Sequence, residues 1–521
     1  MIETVYVISD LHLGGAPASS AVPAGFQLCP PAARARLVSL LRQIQREHPD
    51  PGAVLLVING DFVDFLAEPE RDPDGSVCEA EDGRPVFSAF TADPIQAGLR
   101  FASAVRNTEA GLPESCRFFG ALSSFVQAGY GLTLLVGNHD LELTLPNVRE
   151  ELARMLTAGR PARLAWLLDG EALDLGPVII EHGNRYDPWN WVDHGALRRL
   201  RAQLSRGEQP GLFNAPAGSR MVARVMNPLK ERYRFIDVLK PETEVVVPVL
   251  AALEPGAINA ATDAVPLLAE KTIDGAWMPR GRPARSELMV SRRVDAREGA
   301  APDDETTTLE GPNSATAPKD LLAAAAVEEA NRWGLPRAAL QVSSMGAAFR
   351  ERLTDVFEGA RLDRLSAALR GLQGAEEAMF RVGEEQDPWL SQAKRLSEGG
   401  RLVVFGHTHI AKDVAIPETG GRYLNTGTWC PVMRLPPGLW SGPDASRRAL
   451  LARLVRDLRD GHHEDWCVVR PTYARIELRG GRVVSAGLHE MTPDGPRAIG
   501  REETFPPRLE LPPARTADPN G

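Results

Sequence analysis

RLVVFGHTHIAK, residues 401–412, joins a short apolar run to a glycine and to two histidines that are separated by one threonine. The run RLVVF (401–405) has the length and the β-branched content of a strand that is buried on both faces. In an extended segment residues i and i+2 point the same way, so His407 and His409 can address one region of space. The chain has only 10 histidines in 521 residues. Two of them at the end of one buried strand mark this strand end as a candidate functional site.

Four other apolar runs end in polar clusters of the same kind. Helical patterns such as 33–47 lie between several runs, and this alternation predicts an α/β protein with a layered sheet. Ligands bind at the carboxyl edge of such sheets, so we expect the clusters to meet at one end of a sheet. The runs are VYVIS (5–9), VLLVI (54–58), LTLLV (132–136) and PVIIE (177–181). The clusters that follow them are Asp10-Leu11-His12, Asn59-Gly60-Asp61, Gly137-Asn138-His139-Asp140 and His182-Gly183-Asn184.

The donor atoms in these clusters are imidazole nitrogens, carboxylate oxygens and an amide oxygen. This mixture, without thiolate, suits Mn, Fe, Zn or a similar divalent ion. Four histidines, two aspartates and an asparagine are too many ligands for one ion, but they match two ions that share a bridging carboxylate. Pairs of ions about 4 Å apart are a standard arrangement for phosphoester hydrolysis. A single histidine at a strand end is more often a structural residue, but repetition at five strand ends favours a metal centre.

The ordered motifs SDLHLG, NGDFVD, GNHD, EHGN and GHTH resemble those of the calcineurin-like metallophosphoesterases. The likeness covers roughly residues 1–185 and 400–490. It implies an α/β fold of four layers, in which a double β-sandwich is flanked by helices and a dinuclear metal centre lies at one edge. The reaction that it implies is phosphoester hydrolysis by a hydroxide that bridges the two ions.

The resemblance also implies a role for each motif residue. One ion would be held by Asp10, His12, Asp61 and His409. The other would be held by Asp61, Asn138, His182 and His407, with Asp61 as the bridge. His139 would face the scissile phosphate and protonate or stabilise the leaving oxygen, and Asp140 would orient His139.

The chain departs from the family pattern mainly by a long insertion. We expect two parts of a core, residues 1–185 and 400–500, separated by a mainly helical insertion over 186–399 that acts as a cap or substrate-binding subdomain. The stretches 196–204, 220–235, 321–333 and much of 339–372 look helical. Polar composition indicates a flexible segment at 292–319 and a disordered tail at 501–521.

The beginning of the insertion is basic, although the chain as a whole has a net charge of −10. Residues 198–235 contain nine Arg or Lys and two Glu. One interpretation is a surface for a phosphate-rich substrate or for anionic lipid headgroups, with Arg198 and Arg199 as substrate-binding residues. The other, slightly favoured, is a solvated helix face.

Bulk properties narrow the class of protein. The acidic balance gives no reason to expect nucleic-acid binding, although nucleic-acid and peripheral membrane contacts stay open. The five cysteines have no paired spacing, which argues against a disulfide scaffold and a cysteine-based zinc site. We find neither a signal peptide nor about 18 consecutive apolar residues, so a cytoplasmic protein without a transmembrane segment is expected. No obligate protein partner is evident.

Several functions stay open. The leading hypothesis is a metal-dependent hydrolase of phosphomonoesters or phosphodiesters. SDLHLG with GDFVD resembles the branch that contains UDP-2,3-diacylglucosamine pyrophosphatases, but that branch typically has arginine where this chain has His139, and its insertion is smaller. A nuclease of the same fold is another alternative. A non-catalytic scaffold on this fold is disfavoured, because scaffolds tend to lose ligands and every expected ligand is present.

Overall fold

The computed structural model describes residues 2–22, 25–230, 233–239, 377–440 and 443–505, together with residues 362, 365, 366 and 369. All of them belong to one structural unit, which is formed by residues 1–261 and 361–521. Both ends of the insertion thus belong to this unit, whereas its residues 262–360 lie outside the unit and outside the described part of the chain.

All five apolar runs form strands, as their length and branched side chains predict. Each observed strand agrees with its run to within one residue at either end. The strands are β1 (Thr4–Ile8), β2 (Val54–Asn59), β3 (Gly131–Leu135), β4 (Leu164–Leu167), β5 (Leu173–Asp174), β6 (Val178–Ile180), β7 (Leu402–Phe405), β8 (Ala411–Ile416), β9 (Gly421–Thr426), β10 (Val432–Met433), β11 (Cys467–Val468), β12 (Thr472–Arg479), β13 (Arg482–Thr492) and β14 (Gly495–Ile499).

The strands form two large mixed sheets and one strand pair. The first sheet has the order β14-β13-β12-β1-β2-β3-β4, the second has the order β5-β6-β7-β9-β8, and β10 pairs with β11. Strands β1 to β4 run parallel to one another, whereas β12 is antiparallel to β1. The five polar clusters thus follow strands of two sheets, and the expectation of a single sheet is corrected. An apolar run shows that a strand is buried, but it does not show which strand it pairs with.

Alternation along β1 explains the layers. Val5 and Val7 face a core that also contains Val178 and Val404 of the second sheet, so the two sheets pack face to face. Tyr6 and Ile8 face the opposite way, into a core shared with helices. A further core covers the outer face of the second sheet. The result is a double β-sandwich flanked by helices, the expected fold.

Helices cover the outer faces of the sandwich. The predicted helix 33–47 is observed as α1, which begins with proline at its first position and buries Leu37, Leu41 and Ile44. The helices are α1 (Pro31–Glu47), α2 (Pro94–Glu109), α3 (Phe118–Gln127), α4 (Pro146–Thr157), α5 (His194–Ser205), α6 (Ala217–Met221), α7 (Asn227–Lys230), α8 (Trp389–Leu396) and α9 (Asp444–Arg459). Short 3-10 turns occur at Pro51–Ala53, Phe65–Ala67, Glu114–Cys116, Leu141–Thr144, Asn184–Tyr186, Arg234–Val238, Pro437–Leu439 and His463–Trp466, and a π-helical turn occurs at Val222–Met226.

The described parts of the insertion are helical where the sequence predicts helix. Helix α5 contains the whole of 196–204, and α6, the π-helical turn and α7 cover most of 220–235. The helix predicted at 321–333 and the flexible segment 292–319 lie outside the described residues. So does most of 339–372, apart from residues 362, 365, 366 and 369, which are helical.

The near end of the predicted tail is folded. Thr504 forms a β-bridge with Arg381, and Phe505 is buried in the core between the two sheets. Residues 501–505 are therefore part of the folded unit, which extends past the predicted boundary at 501, and residues 506–521 lie outside the described part. Within the described ranges, no helix combines the length and the apolar character needed to cross a membrane.

Candidate metal centre

Donor atoms from both sheets converge beside Asp61. Asp61 belongs to two groups of side chains that each offer one donor atom, with the donor atoms of a group all within 4.8 Å of one another. The first group is Asp10, His12, Asp61 and His409. The second is Asp61, His182 and His407. These groups contain the ligands that the sequence resemblance implies, apart from Asn138. Asn138 would offer an amide oxygen, which is not among the donor types of these groups.

The separations between donor atoms have the size that a shared ion requires. Asp61 Oδ2 lies 3.3 Å from His182 Nε2 and 3.8 Å from His12 Nε2. His409 Nε2 lies 3.1 Å from His12 Nε2 and 3.4 Å from Asp10 Oδ1. Metal–ligand bonds of about 2.1 Å put neighbouring donors roughly 3.0–3.4 Å apart at ligand angles between a right angle and a tetrahedral one. Most of these distances fall in or near that range.

Two buried donor atoms lack the hydrogen bonds that buried polar atoms normally make. Nδ1 of His182 lies 2.7 Å from the carbonyl oxygen of Asn59, and its Nε2, although 3.3 Å from Asp61 Oδ2, makes no aligned hydrogen bond. Nδ2 of Asn138 donates to Asn190 at 3.2 Å, and its Oδ1 likewise has no partner. Nitrogen and oxygen donors left in this way fit a divalent ion of the Mn, Fe or Zn type.

The backbone is strained where the ligands lie. Six non-glycine residues of the described chain have positive φ, and five of them are predicted ligands; the sixth is Ala158, after α4. Such conformations cost about 1–3 kcal/mol each and tend to cluster at functional sites. The five predicted ligands are Asp10 (52°), His12 (42°), Asp61 (49°), His407 (68°) and His409 (64°). Tight turns after β1, β2 and β7 thus bring the side chains back toward the sheet edge.

This strain gives a stability prediction. In metal-free protein, His407→Gly is expected to be more stable than His407→Ala by about 1 kcal/mol, because glycine adopts positive φ without a β-carbon penalty. Urea unfolding in the presence of chelator measures the difference. The matched pair Thr408→Gly and Thr408→Ala should show the opposite order, because Thr408 does not have positive φ. The prediction would be contradicted if the glycine variant were the more stable one at both positions, or the alanine variant at both.

Two motif glycines let backbone pass directly against ligand carboxylates. A β-carbon at Gly137 would overlap the carboxylate of Asp61. A β-carbon at Gly406 would lie 2.7 Å from Asp10 Oδ2, a distance that would force a shift. The glycines of GNHD and GHTH therefore leave room for the two aspartates.

The metal-free centre holds protons that an ion must displace. Burial would raise the pKa of Asp61, but His182 and His139 hold it well below its ordinary value. Burial would lower the pKa of His182, but Asp61 outweighs this effect, and the pKa of His182 rises to about 10. Burial also raises the pKa of Asp10. Asp61 is thus an ionised carboxylate suited to bridging, whereas His182 is protonated at neutral pH until an ion binds.

Metal affinity should consequently depend on pH. An ion must replace the proton on His182. For each proton displaced, the apparent Mn²⁺ affinity is expected to rise by up to about tenfold per pH unit between about pH 6 and 9. Calorimetric titrations in buffers of different ionisation enthalpy would count the released protons. An affinity that is flat across this range, with no proton release, would contradict the assignment of His182 as a ligand.

Asp64, and not Asp140, contacts the ring of His139. Nδ1 of His139 lies 3.1 Å from Asp64 Oδ1. The two carboxylate oxygens of Asp140 accept backbone N–H groups instead, from Gly137 at 2.7 Å and from Phe62 at 2.8 Å. The expectation that Asp140 orients His139 is therefore corrected. Asp140 stabilises the backbone of the GNHD turn, and Asp64 is the carboxylate that contacts the imidazole of His139.

The Asp64 carboxylate serves two histidines. Its Oδ2 lies 3.3 Å from Nδ1 of His12, the nitrogen that does not face Asp61. Burial would raise the pKa of Asp64, but His139 and His12 hold it far below its ordinary value. Burial would lower the pKa of His139, but Asp64 and Asp61 raise it to about 9. His139 is therefore a protonated imidazole at neutral pH in the metal-free chain, as a proton donor must be.

The two arginines predicted to bind substrate lie on the exposed face of α5. Arg198 donates to Asp169 Oδ2 at 2.9 Å, and this arginine side chain is 66% exposed. Arg199 is also exposed. No described contact joins either residue to the donor groups beside Asp61. Their substrate role stays a prediction that the geometry does not support.

The helices that follow α5 do reach the centre. Ser219 Oγ of α6 donates to the carbonyl oxygen of Asn138 at 3.3 Å. Asn227 of α7 donates to the carbonyl oxygen of Leu66 at 2.8 Å, in the loop after NGDFVD. The positive charge of Lys230, at the end of α7, acts on His139 and opposes the rise of its pKa. The start of the insertion thus forms one wall of the centre.

Four residues of the site escaped the sequence analysis: Asp64, Asp187, Asn190 and Lys230. The sequence does point to Asp64, because it is the last residue of the NGDFVD motif and lies three positions after Asp61. The other three lie in or beside the insertion, where no family motif identifies them.

One family comparison bears on this geometry. Residues 3–233 match the family model described as calcineurin-like phosphoesterase. No curated protein matches the chain. The match supports metal-dependent phosphoester hydrolysis in general, and the donor groups beside Asp61 agree with it. The narrower likeness to UDP-2,3-diacylglucosamine pyrophosphatases stays a prediction, because the match is to the family as a whole.

Proposed function

We propose, because residues 3–233 match the calcineurin-like phosphoesterase family model, that this protein hydrolyses phosphoesters with two divalent ions bound on either side of Asp61. The observation that carries the proposal is the position of the Asp61 carboxylate, which is shared by the two donor groups. One carboxylate common to two sets of ligands is what a pair of ions about 4 Å apart requires.

The first ion would be held by Asp10, His12, Asp61 and His409, and the second by Asp61, Asn138, His182 and His407. When bound, such ions lower the pKa of a water molecule and offset the charge that develops on the phosphate. The chain's own contribution is to fix the donors before the substrate arrives. Strained turns and close glycines do this, since they leave the ligand side chains little freedom to move.

His139 is proposed as the proton donor to the leaving oxygen. Its Nδ1 faces Asp64, so Nε2 is the atom that can deliver a proton. Asp64 favours the protonated ring and fixes its orientation, and both effects help a general acid. Asp140 acts one step further away, since it holds the backbone on which His139 stands.

Lys230 is proposed to bind the anionic substrate in place of Arg198. Its side chain is buried, pairs with Asp237, and brings a positive charge toward His139. Lys230→Met is expected to raise KM about tenfold with little change in kcat, because a charge that holds substrate and transition state alike contributes to binding. Arg198→Met is the matched control and should leave KM unchanged. Equal effects of the two variants would contradict this assignment.

The test is turnover by purified full-length protein. A generic phosphodiester and a generic phosphomonoester would be offered with Mn²⁺ and, separately, with chelator. Turnover that needs Mn²⁺ supports the proposal, and the ratio of diester to monoester rates narrows the substrate class. Absence of turnover on both esters, in protein that binds two Mn²⁺, would contradict the hydrolase and favour the non-catalytic scaffold.

A further inference from the structure

The loop that follows His182 connects ligands from distant parts of the chain. It begins with the 3-10 turn Asn184–Tyr186 and continues through Asp187 and Asn190. Neither Asp187 nor Asn190 belongs to a motif that predicts the metal centre, and Asp187 is not one of the described donors that converge on Asp61. Their side chains nevertheless reach two ligands of the second ion.

Asp187 contacts the ring of His407. Its Oδ2 lies 3.2 Å from Nε2 of His407, and its Oδ1 accepts the N–H of Trp189 at 2.9 Å, which holds the carboxylate in place. An imidazole whose Nε2 faces a carboxylate keeps a proton on that nitrogen and leaves Nδ1 for an ion. The position of Asp187 therefore favours Nδ1 as the nitrogen of His407 that would bind an ion.

Asn190 continues the chain of contacts to Asn138. Its Nδ2 donates to Asp187 Oδ2 at 2.7 Å, and its Oδ1 accepts from Asn138 Nδ2 at 3.2 Å. Only the oxygen of an amide side chain is a useful metal ligand. Because Asn190 engages the nitrogen of Asn138, the oxygen of Asn138 is the atom left buried without a hydrogen-bond partner. The contact with Asn190 thus orients the side-chain amide of Asn138.

The loop is itself held by an internal hydrogen bond and by contacts with α6. Nδ2 of Asn184 donates to the carbonyl oxygen of Asn190 at 2.9 Å. The N–H of Gly218, in α6, donates to the carbonyl oxygen of Trp189 at 2.8 Å. A β-carbon at Gly218 would overlap Oδ1 of Asn190. Helix α6 consequently packs directly on the residue that orients Asn138.

We propose that Asp187 and Asn190 are positioning residues that select the coordinating atoms of His407 and Asn138 and so set the affinity for the second ion. The proposal rests on the proposed function, since it assumes that the centre beside Asp61 binds two ions. Partners of this kind, which orient metal ligands without being ligands, commonly change metal affinity about 10–100-fold.

Two single variants and their combination test the bridge. Asp187→Asn removes the charge beside His407 and brings two amides together. Asn190→Asp puts a second carboxylate against Asp187 and removes the N–H donor between them. In the double variant, the amide at position 187 can donate to the carboxylate at position 190, which can still accept from Asn138. Because Oδ2 of Asp187 contacts both Asn190 and His407, that amide nitrogen would also face Nε2 of His407, so the double variant restores the hydrogen bond to Asn138 but not the acceptor beside His407.

The measurement is calorimetric Mn²⁺ titration of chelator-treated full-length protein, with EPR detection of spin-coupled Mn²⁺ pairs. Asp193→Asn is the matched control, because asparagine preserves the cap that Asp193 makes at the start of α5. We expect two ions in the wild type and the control. Each single variant should keep the first ion, bind the second at least about tenfold more weakly and lose the coupled signal. The double variant should bind the second ion more tightly than Asn190→Asp but more weakly than the wild type.

Other results overturn the proposal. Single variants that bind both Mn²⁺ ions with wild-type affinity would show that the bridge does not set affinity, while the proposed function would stand. A folded double variant that binds the second ion no better than Asn190→Asp would show that donor and acceptor matching at position 190 is irrelevant. A wild type that binds fewer than two Mn²⁺ ions would overturn the dinuclear centre and the bridge together. Thermal melting in chelator identifies unfolded variants, and the double variant decides if a single variant does not fold.

Discussion

Asp61→Asn is expected to lower kcat/KM for an aryl phosphodiester at least about a thousandfold. The substitution removes the one charge that both donor groups share, while it keeps the shape of the side chain. Two bound ions supply several kcal/mol of charge stabilisation in such reactions, so their loss corresponds to a rate factor of this size or more. Steady-state kinetics at saturating Mn²⁺, together with metal content after gel filtration, measure the effect.

The control for this prediction is Asp93→Asn. Asp93 is an exposed residue that caps α2 through its side chain, and asparagine can cap equally well. It should keep wild-type activity and metal content. If Asp61→Asn retained both ions and most of the activity, Asp61 would not be the bridge, and the dinuclear assignment would have to be abandoned.

The second large effect is expected at His139 and depends on the leaving group. His139→Asn should slow hydrolysis of an alkyl phosphoester about 10²–10⁴-fold, because an alkoxide needs a proton in order to leave. A 4-nitrophenyl ester should be slowed far less, because nitrophenolate is stable without a proton. The measurement compares kcat for the two esters in wild type and variant.

Matched variants separate the general acid from its neighbours. Asp64→Asn should show the same dependence on leaving group in weaker form, since Asp64 contacts the ring of His139. Asp140→Asn should slow both esters alike, since Asp140 bonds only to the backbone of Gly137 and Phe62. The exposed His462 provides an inert control as His462→Asn. Equal slowing of the two esters by His139→Asn would contradict the assignment of His139 as proton donor.

The sequence was most informative where burial and chemistry coincide. Strands β1, β2, β3, β6 and β7 were predictable because branched apolar runs of that length are buried on both faces. Their polar ends were predictable as a candidate metal centre, because five clusters of side chains able to bind a metal do not recur by chance. The arrangement in two sheets was not predictable from the runs, since pairing partners leave no mark on a single strand.

Details of contact were less predictable. Asp140 follows His139 directly in GNHD, whereas Asp64 lies 75 residues away at the end of NGDFVD, so the sequence favoured the wrong partner for the ring. The bridge through Asp187 and Asn190 depends on a hydrogen-bond chain between His407 and Asn138, which are far apart in sequence. Positive φ at five non-glycine predicted ligands could not be predicted from the sequence, because glycine is the residue type that usually indicates this conformation.

The insertion leaves the core after β6 and returns to it at β7, and these two strands are adjacent and parallel, with Ile180 opposite Val404. The insertion therefore starts at the carboxyl end of β6 and ends at the amino end of β7, one short strand length away, while His182 and His407 both follow the carboxyl ends of these strands. The entropy of closing a loop grows only logarithmically, by about 0.6 kcal/mol for each doubling of length. The core can thus tolerate insertions of very different size between fixed anchor points. Substrate preference can change through the inserted segment while the hydrolytic machinery keeps its geometry.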